Sequence, residues 1–184
     1  MLALLVPVLT LALVLCLVPV AFSVFSAQTP VTPGSFSAGS VELTDDDTGA
    51  AMFTAGSLRP GSTGSRCIAV SYSGSLAAQV RLFVAPGDLT GTGLDRYLTL
   101  TVTEGTGGGS GSCAGFAAAG PADFTGTLRD LAATATTWDS GIGGFAPAGA
   151  GETRVYRIVY TLTAGAAAEG LAAQVRFTWE ARNT

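Results

Sequence analysis

The sequence contains no histidine and no lysine: its nine basic residues are all arginine, set against thirteen acidic ones. Charged residues make up only 12% of the 184 positions. Without histidine the chain lacks the usual general base near neutral pH and the commonest zinc ligand. Without lysine it cannot form a Schiff base, a P-loop contact to phosphate or a lysine-based isopeptide linkage. A net charge of −4 leaves no basic footprint for DNA or RNA, so no nucleic-acid partner is expected. Cysteine is scarce, at three residues, while glycine is plentiful at 25 and proline adds eight more. The length suits one domain of modest size.

Charge is missing most completely at the N-terminus, where the first charged residue is Glu42. Met1 to Phe25 is almost continuously apolar, broken only by Pro7, Thr10, Pro19 and Ser23. Pro19 followed by small residues reads as the end of a secretory signal peptide over residues 1–23 in helical form, with a retained anchor as the alternative. Ala21-Phe22-Ser23 and Val24-Phe25-Ser26 both offer small residues at the positions a signal peptidase requires. No Lys/Arg n-region precedes the apolar run. The membrane is expected to meet the chain only through this segment, before cleavage. Cys16 lies within it as apolar filler, because Leu13-Val14-Leu15 lacks the small residue of a lipoprotein cut.

Removal of the signal leaves Cys67 and Cys113, an even pair in an exported protein. In an oxidising compartment that pair reads as a disulfide, worth about 4 kcal/mol on the chain-entropy model. A metal site is the competing reading, but two thiols without histidine supply too few ligands.

The remainder reads as strands punctuated by glycine. Leu98 to Thr103 alternates apolar and polar residues without fault, as does Arg154 to Thr163 with Tyr156, Ile158, Tyr160 and Leu162 on one face. Val155 and Val159 on the other face imply partial cover on both sides. Val175, Phe177 and Trp179 should point inward, with Gln174, Arg176, Thr178 and Glu180 outward. Ala78 to Val84 and Ile68 to Tyr72 give two more strands. Phe36, Ala38, Val41 and Leu43 give a first one, with a phase shift at Gly39-Ser40 suited to a bulge. Arg59-Pro60-Gly61-Ser62 fits a type II turn. Gly105 to Ser112 reads as an exposed, mobile tract. Helix is confined to Thr127–Ala133, with Thr127 as N-cap, and to one turn at 166–171. The pattern implies an all-β chain, a jelly-roll β-sandwich of about 7–9 strands with one or two short helices.

Chemistry is thinly represented. Asp45-Asp46-Asp47 is a weak calcium candidate, since hard cations take several carboxylate oxygens; a solvated turn is the plainer reading. Asp95, Glu104, Asp139 and Glu152 could in principle pair for glycosidase work, but nothing selects among them and surface charge is the simpler role. Trp179 alternates into the core, whereas Trp138 beside Asp139 is freer to stack on a sugar. No nucleophile elbow is present and no histidine could serve it. Neither catalytic residues nor cofactors are expected.

The order of motifs resembles a known family. After Phe25-Ser26 come Phe36-Ser37-Ala38-Gly39-Ser40-Val41-Glu42-Leu43, Leu58-Arg59-Pro60-Gly61-Ser62 and Cys67 to Leu76. The end carries Gly170-Leu171-Ala172-Ala173-Gln174 and Phe177-Thr178-Trp179-Glu180-Ala181. This is similar to the TasA/camelysin (CalY) family of secreted Gram-positive bacterial proteins. The resemblance implies signal-peptidase processing, a jelly roll over residues 36–184, and assembly into extracellular fibres of the biofilm matrix or cell surface. It also implies donor-strand exchange between copies, with Val24, Phe25, Ser26, Val31 and Phe36 as assembly residues. Residues 24–35 form an uncharged arm in which Pro30 and Pro33 disfavour a central strand. Addition of one arm to the next copy's sheet edge is a head-to-tail contact that need not close. A monomeric surface module binding a glycan or protein is the alternative function. The metalloendopeptidase label of some relatives is the least favoured, because a zincin needs histidines one helical turn apart.

Overall fold

The computed structural model describes residues 26–28, 40–47, 58–163 and 166–184. The signal segment, Val24, Phe25, Val31, Phe36 and the phase shift at Gly39 lie outside the described residues. No helix among the described residues is long and apolar enough to cross a membrane.

The chain is mostly β, in several sheets. Its strands are β1 (Ser26–Gln28), β2 (Leu43–Asp45), β3 (Thr63–Tyr72), β4 (Ala78–Phe83), β5 (Leu89–Gly91), β6 (Leu98–Thr106), β7 (Ala117–Ala118), β8 (Phe124–Thr127), β9 (Glu152–Leu162), β10 (Ala173–Val175) and β11 (Thr178–Asn183). The largest sheet runs β2-β3-β9-β6, and β8 and β7 share the far side of β6. A three-stranded sheet runs β1-β11-β4, and β10 pairs with β5. Beyond β4 the irregular segment 142–147 continues that sheet: Val80 N–H donates to Phe145 C=O at 2.8 Å and Ala78 N–H to Pro147 C=O at 2.9 Å.

The alternation of β6 and β9 fixes the core. Leu100 and Val102 on β6 and Tyr156, Ile158 and Leu162 on β9 are buried, as the period of two requires. Leu100, Val102, Tyr156 and Ile158 join Ile68, Val70 and Tyr72 from β3, Val80 and Leu82 from β4, and Trp179 and Ala181 from β11 in one cluster. Val155 is also buried while Val159 is half-buried, so the second face of β9 is partly covered. Leu128 and Leu131 anchor α1 (Leu128–Thr134) to this core. Thr127 caps the helix in a reciprocal box: Asp130 N–H donates to Thr127 Oγ1, and Thr127 N–H donates to Asp130 Oδ2, both at 3.1 Å. The turn at 59–62 closes through Ser62 N–H to Arg59 C=O at 2.8 Å, with Gly61 at φ 79°.

Three expectations change. The stretch from Gln174 to Ala181 is two strands on two sheets, broken at Arg176, whose N–H donates to Asp88 C=O at 2.9 Å. This break, together with the short strands β5, β7 and β8, raises the strand number above that anticipated. The helical turn near 166 is a 3₁₀ turn over Ala166–Ala168. The glycine tract is no free loop: Gly105 is buried in β6, where an added Cβ would strike Ala117 C=O, and Gly109 and Ser112 bridge each other.

Trp179 is 4% exposed and meets Tyr156 edge-on, with ring centroids 5.6 Å apart. Trp179→Ala should therefore destabilise the fold by about 3–5 kcal/mol, measured by urea denaturation. A loss below about 1 kcal/mol, the level of a surface substitution, would contradict this packing.

Candidate functional site

The sheet edge at β11 is where sequence and fold converge. β4 occupies one side of β11, in register from Thr178 opposite Phe83 to Asn183 opposite Ala78. β1 occupies the other, antiparallel, with Ser26 opposite Arg182, Ala27 opposite Ala181 and Gln28 opposite Glu180. Of the expected arm residues, only Ser26 is among those described. The described part of the arm, β1, is thus a three-residue edge strand within its own chain, a position that asks little of the sequence.

Alternation along β11 sends Trp179 and Ala181 to the core and Thr178, Glu180 and Arg182 to the opposite face. Glu180 is nevertheless only 2% exposed, which corrects the expectation of an outward, solvated side chain. The reason is that the 136–143 segment folds over this face. Arg182 stacks on the Trp138 ring at 4.7 Å, donates from Nε to Glu180 Oε1 at 2.8 Å and lies 3.6 Å from Asp139 Oδ1. Trp138 donates from Nε1 to Gln79 C=O at 3.3 Å. Trp138 is therefore packed rather than free to stack on a sugar.

The acidic run sits beside the opposite sheet. Asp46 accepts from Ala69 N–H at 2.8 Å through Oδ1 and from Ser110 N–H at 2.7 Å through Oδ2. Its own carbonyl accepts from Ser110 Oγ at 2.7 Å. One side chain thereby clips the glycine tract to β3, a pattern of charge-assisted bonds rather than a solvated turn. Cys113 follows the clipped loop, and its sulfur lies at disulfide distance from that of Cys67 on β3, with Cα atoms 5.3 Å apart. Asp45, Asp46 and Asp47 form no common ligand set, and no group of three metal-binding side chains comes together among the described residues. Burial, and then the nearby Asp47 carboxylate, hold the Asp45 carboxyl above its ordinary value.

The other carboxylates are dispersed, each with its own partner. Asp95 is bound by Arg129 Nε at 2.7 Å and Glu152 Oε1 accepts from Ala148 N–H at 2.7 Å. Glu104 is 8% exposed, and its Oε1 accepts from Gly144 N–H at 2.8 Å and Phe145 N–H at 3.2 Å. Surface charge fits Asp139 and Glu152 but not Asp95 or Glu104, both of which are buried. Glu104 stands opposite Tyr156 in the β6–β9 register. Burial first, and then the Glu104 charge, raise the Tyr156 hydroxyl well above its ordinary value.

Compared with known proteins, the chain matches no family model and no curated protein. Its functional reading thus rests on its own residues and on the motif resemblance set out above.

Two outcomes are expected. Unreduced, unfolded protein without the signal segment should show no reactive thiol on titration. Asp45→Asn should raise the melting temperature at pH 7. The raised carboxyl of folded Asp45 favours the protonated form, so its contribution is present below the unfolded value near 3.8 and is lost as pH rises through the folded one. The advantage of the variant should fade in melts at about pH 3; a variant less stable than the parent at pH 7 would contradict the assignment.

Proposed function

We propose that the chain is a non-enzymatic, secreted structural subunit that polymerises outside the cell by exchanging its N-terminal strand between copies. The single observation that carries this reading is the seat of Ser26–Gln28 on the outer edge of β11. That edge accepts main-chain pairing from a strand preceding the whole domain in sequence. Main-chain pairing of this kind can be exchanged, since an identical copy offers the same partner. Head-to-tail repetition of the contact builds a filament. The finer topology is read as a jelly roll, with the large sheet and the β1-β11-β4 sheet as its two layers, and the location as the cell surface or biofilm matrix.

The chemistry agrees with this reading. Arg182, held by Glu180, Asp139 and the Trp138 ring, stiffens β11 so that its edge stays straight for an incoming strand. The chain's other copies are its partners, with a signal peptidase acting during export.

Deletion of residues 24–34 should leave a folded, soluble monomer that does not elongate, seen by electron microscopy beside intact protein that forms fibres. A synthetic peptide of residues 24–34 should bind the truncated protein and block addition of intact copies. Regular fibres from the truncated protein would refute strand exchange, and absence of fibres from the intact protein at any concentration would refute the structural role.

A further inference from the structure

Away from the β11 edge, three elements enclose a cleft of 570 Å³. Its walls are the 84–87 turn, the β5 arm running into the 3₁₀ turn Leu94–Arg96, and the face of α1 that carries Arg129, Ala132 and Ala133. The cleft exists because six of its fourteen lining residues are glycine or alanine: Ala85, Gly87, Gly91, Gly93, Ala132 and Ala133 leave its space unfilled. Its volume is that of a small-molecule site, roughly 300–1,000 Å³.

Charge is unevenly placed in it. The lining carries two guanidinium groups, Arg96 and Arg129, and one carboxylate, Asp95. The Asp95 side chain is 8% exposed and takes only the Nε of Arg129, at 2.7 Å. This bond orients the guanidinium and leaves its terminal NH₂ groups without partners among the described residues. Arg96 is exposed and has no ion pair among the described residues. A protein of net charge −4 thus holds a cleft with a net positive lining. No aromatic ring lines it, so it offers no stacking platform for a neutral sugar. Hydroxyl groups are present. Thr92 Oγ1 accepts from Ala172 N–H at 2.8 Å, leaving its own O–H to donate, and Thr90 lines the cleft beside it.

We propose that this cleft binds an acidic saccharide unit, its carboxylate or phosphate taken by Arg96 and Arg129 and its ring hydroxyls by Thr90 and Thr92. Guanidinium forks match both oxyanions, and a buried carboxylate that fixes one fork is the usual way to keep it poised. The site is separate from the proposed strand exchange, because β1 pairs on β11 and β11 contributes no residue to the cleft lining.

The test is an NMR titration of the intact chain with glucuronate, glucose 6-phosphate and glucose at millimolar concentration. Either acid should shift amide resonances of residues 84–96 and 129–133, more strongly at low salt, and glucose should not. Which acid binds identifies the oxyanion. Arg96→Gln, a change at an exposed and unpaired side chain, should leave the spectrum of the free protein intact and weaken binding about tenfold, the usual effect of losing one charged hydrogen bond. Arg96→Lys should recover part of that loss. Binding of none of the three probes, equal binding of glucose, or unchanged affinity in Arg96→Gln would overturn the proposal.

Discussion

The contact between Tyr156 and Trp179 is the constraint on which the rest of the architecture depends. β9 is the strand paired along nearly its whole length on both sides, with β3 across Thr63–Tyr72 and with β6 across Leu98–Gly105. Its inner face must then be closed by something from outside that sheet, and Trp179 on β11 supplies it, edge-on at an interplanar angle of 61°. Such a ring pair adds about 0.5–1.5 kcal/mol beyond the area it buries. It also sets the spacing between the layers, within which Ile68, Val80 and Leu82 find partners. Phe177 extends the contact at 6.4 Å from Trp179, at the point where the chain leaves β10 for β11.

What was legible in the sequence follows from this geometry. Faultless alternation in Leu98–Thr103 and Arg154–Thr163 located the two central strands and their buried faces, because a strand between two neighbours has only its faces left to specify. Thr127 and Asp130 announced the helix through local capping chemistry, which needs no tertiary context. Glu180 and Trp138 were misjudged for a common reason. Alternation states which face a residue is on, and says nothing of whether a distant loop will cover that face. Here an arginine two positions on, Arg182, recruits the 136–143 loop and buries Glu180 beneath it. The inward place of Glu104 was legible against its reading as surface charge, since the period Leu100, Val102, Glu104 turns its carboxylate inward, where the backbone amides of Gly144 and Phe145 meet it. The clip at Asp46 was invisible, because it depends on Ser110, 64 residues away.

Polar contacts lock two segments that the strand pattern alone leaves loose. At the large sheet, Asp46 and the Cys67–Cys113 pair tie the glycine tract to β3, so a segment with many glycines loses its freedom through a few strong tethers. Glu104 does the same for the segment beyond β4. β1 meets the body through three backbone pairs with β11.

Under the proposed strand exchange, the choice between a strand's own edge and the next copy's is a question of entropy. The bound strand forms the same backbone pairs whether it comes from its own chain or the next, so their energy cancels between the two states. What remains is the effective concentration of the strand near its own edge against the concentration of other copies. Flexible tethers of modest length give values of order millimolar. The sequence between β1 and Ser40 contains Pro30 and Pro33, each fixing φ and restricting the residue before it. Self-pairing still covers the β11 edge in dilute protein, which guards against indiscriminate strand addition. On the proposed reading the same strand therefore acts as a protective cap at low concentration and as a link at high concentration.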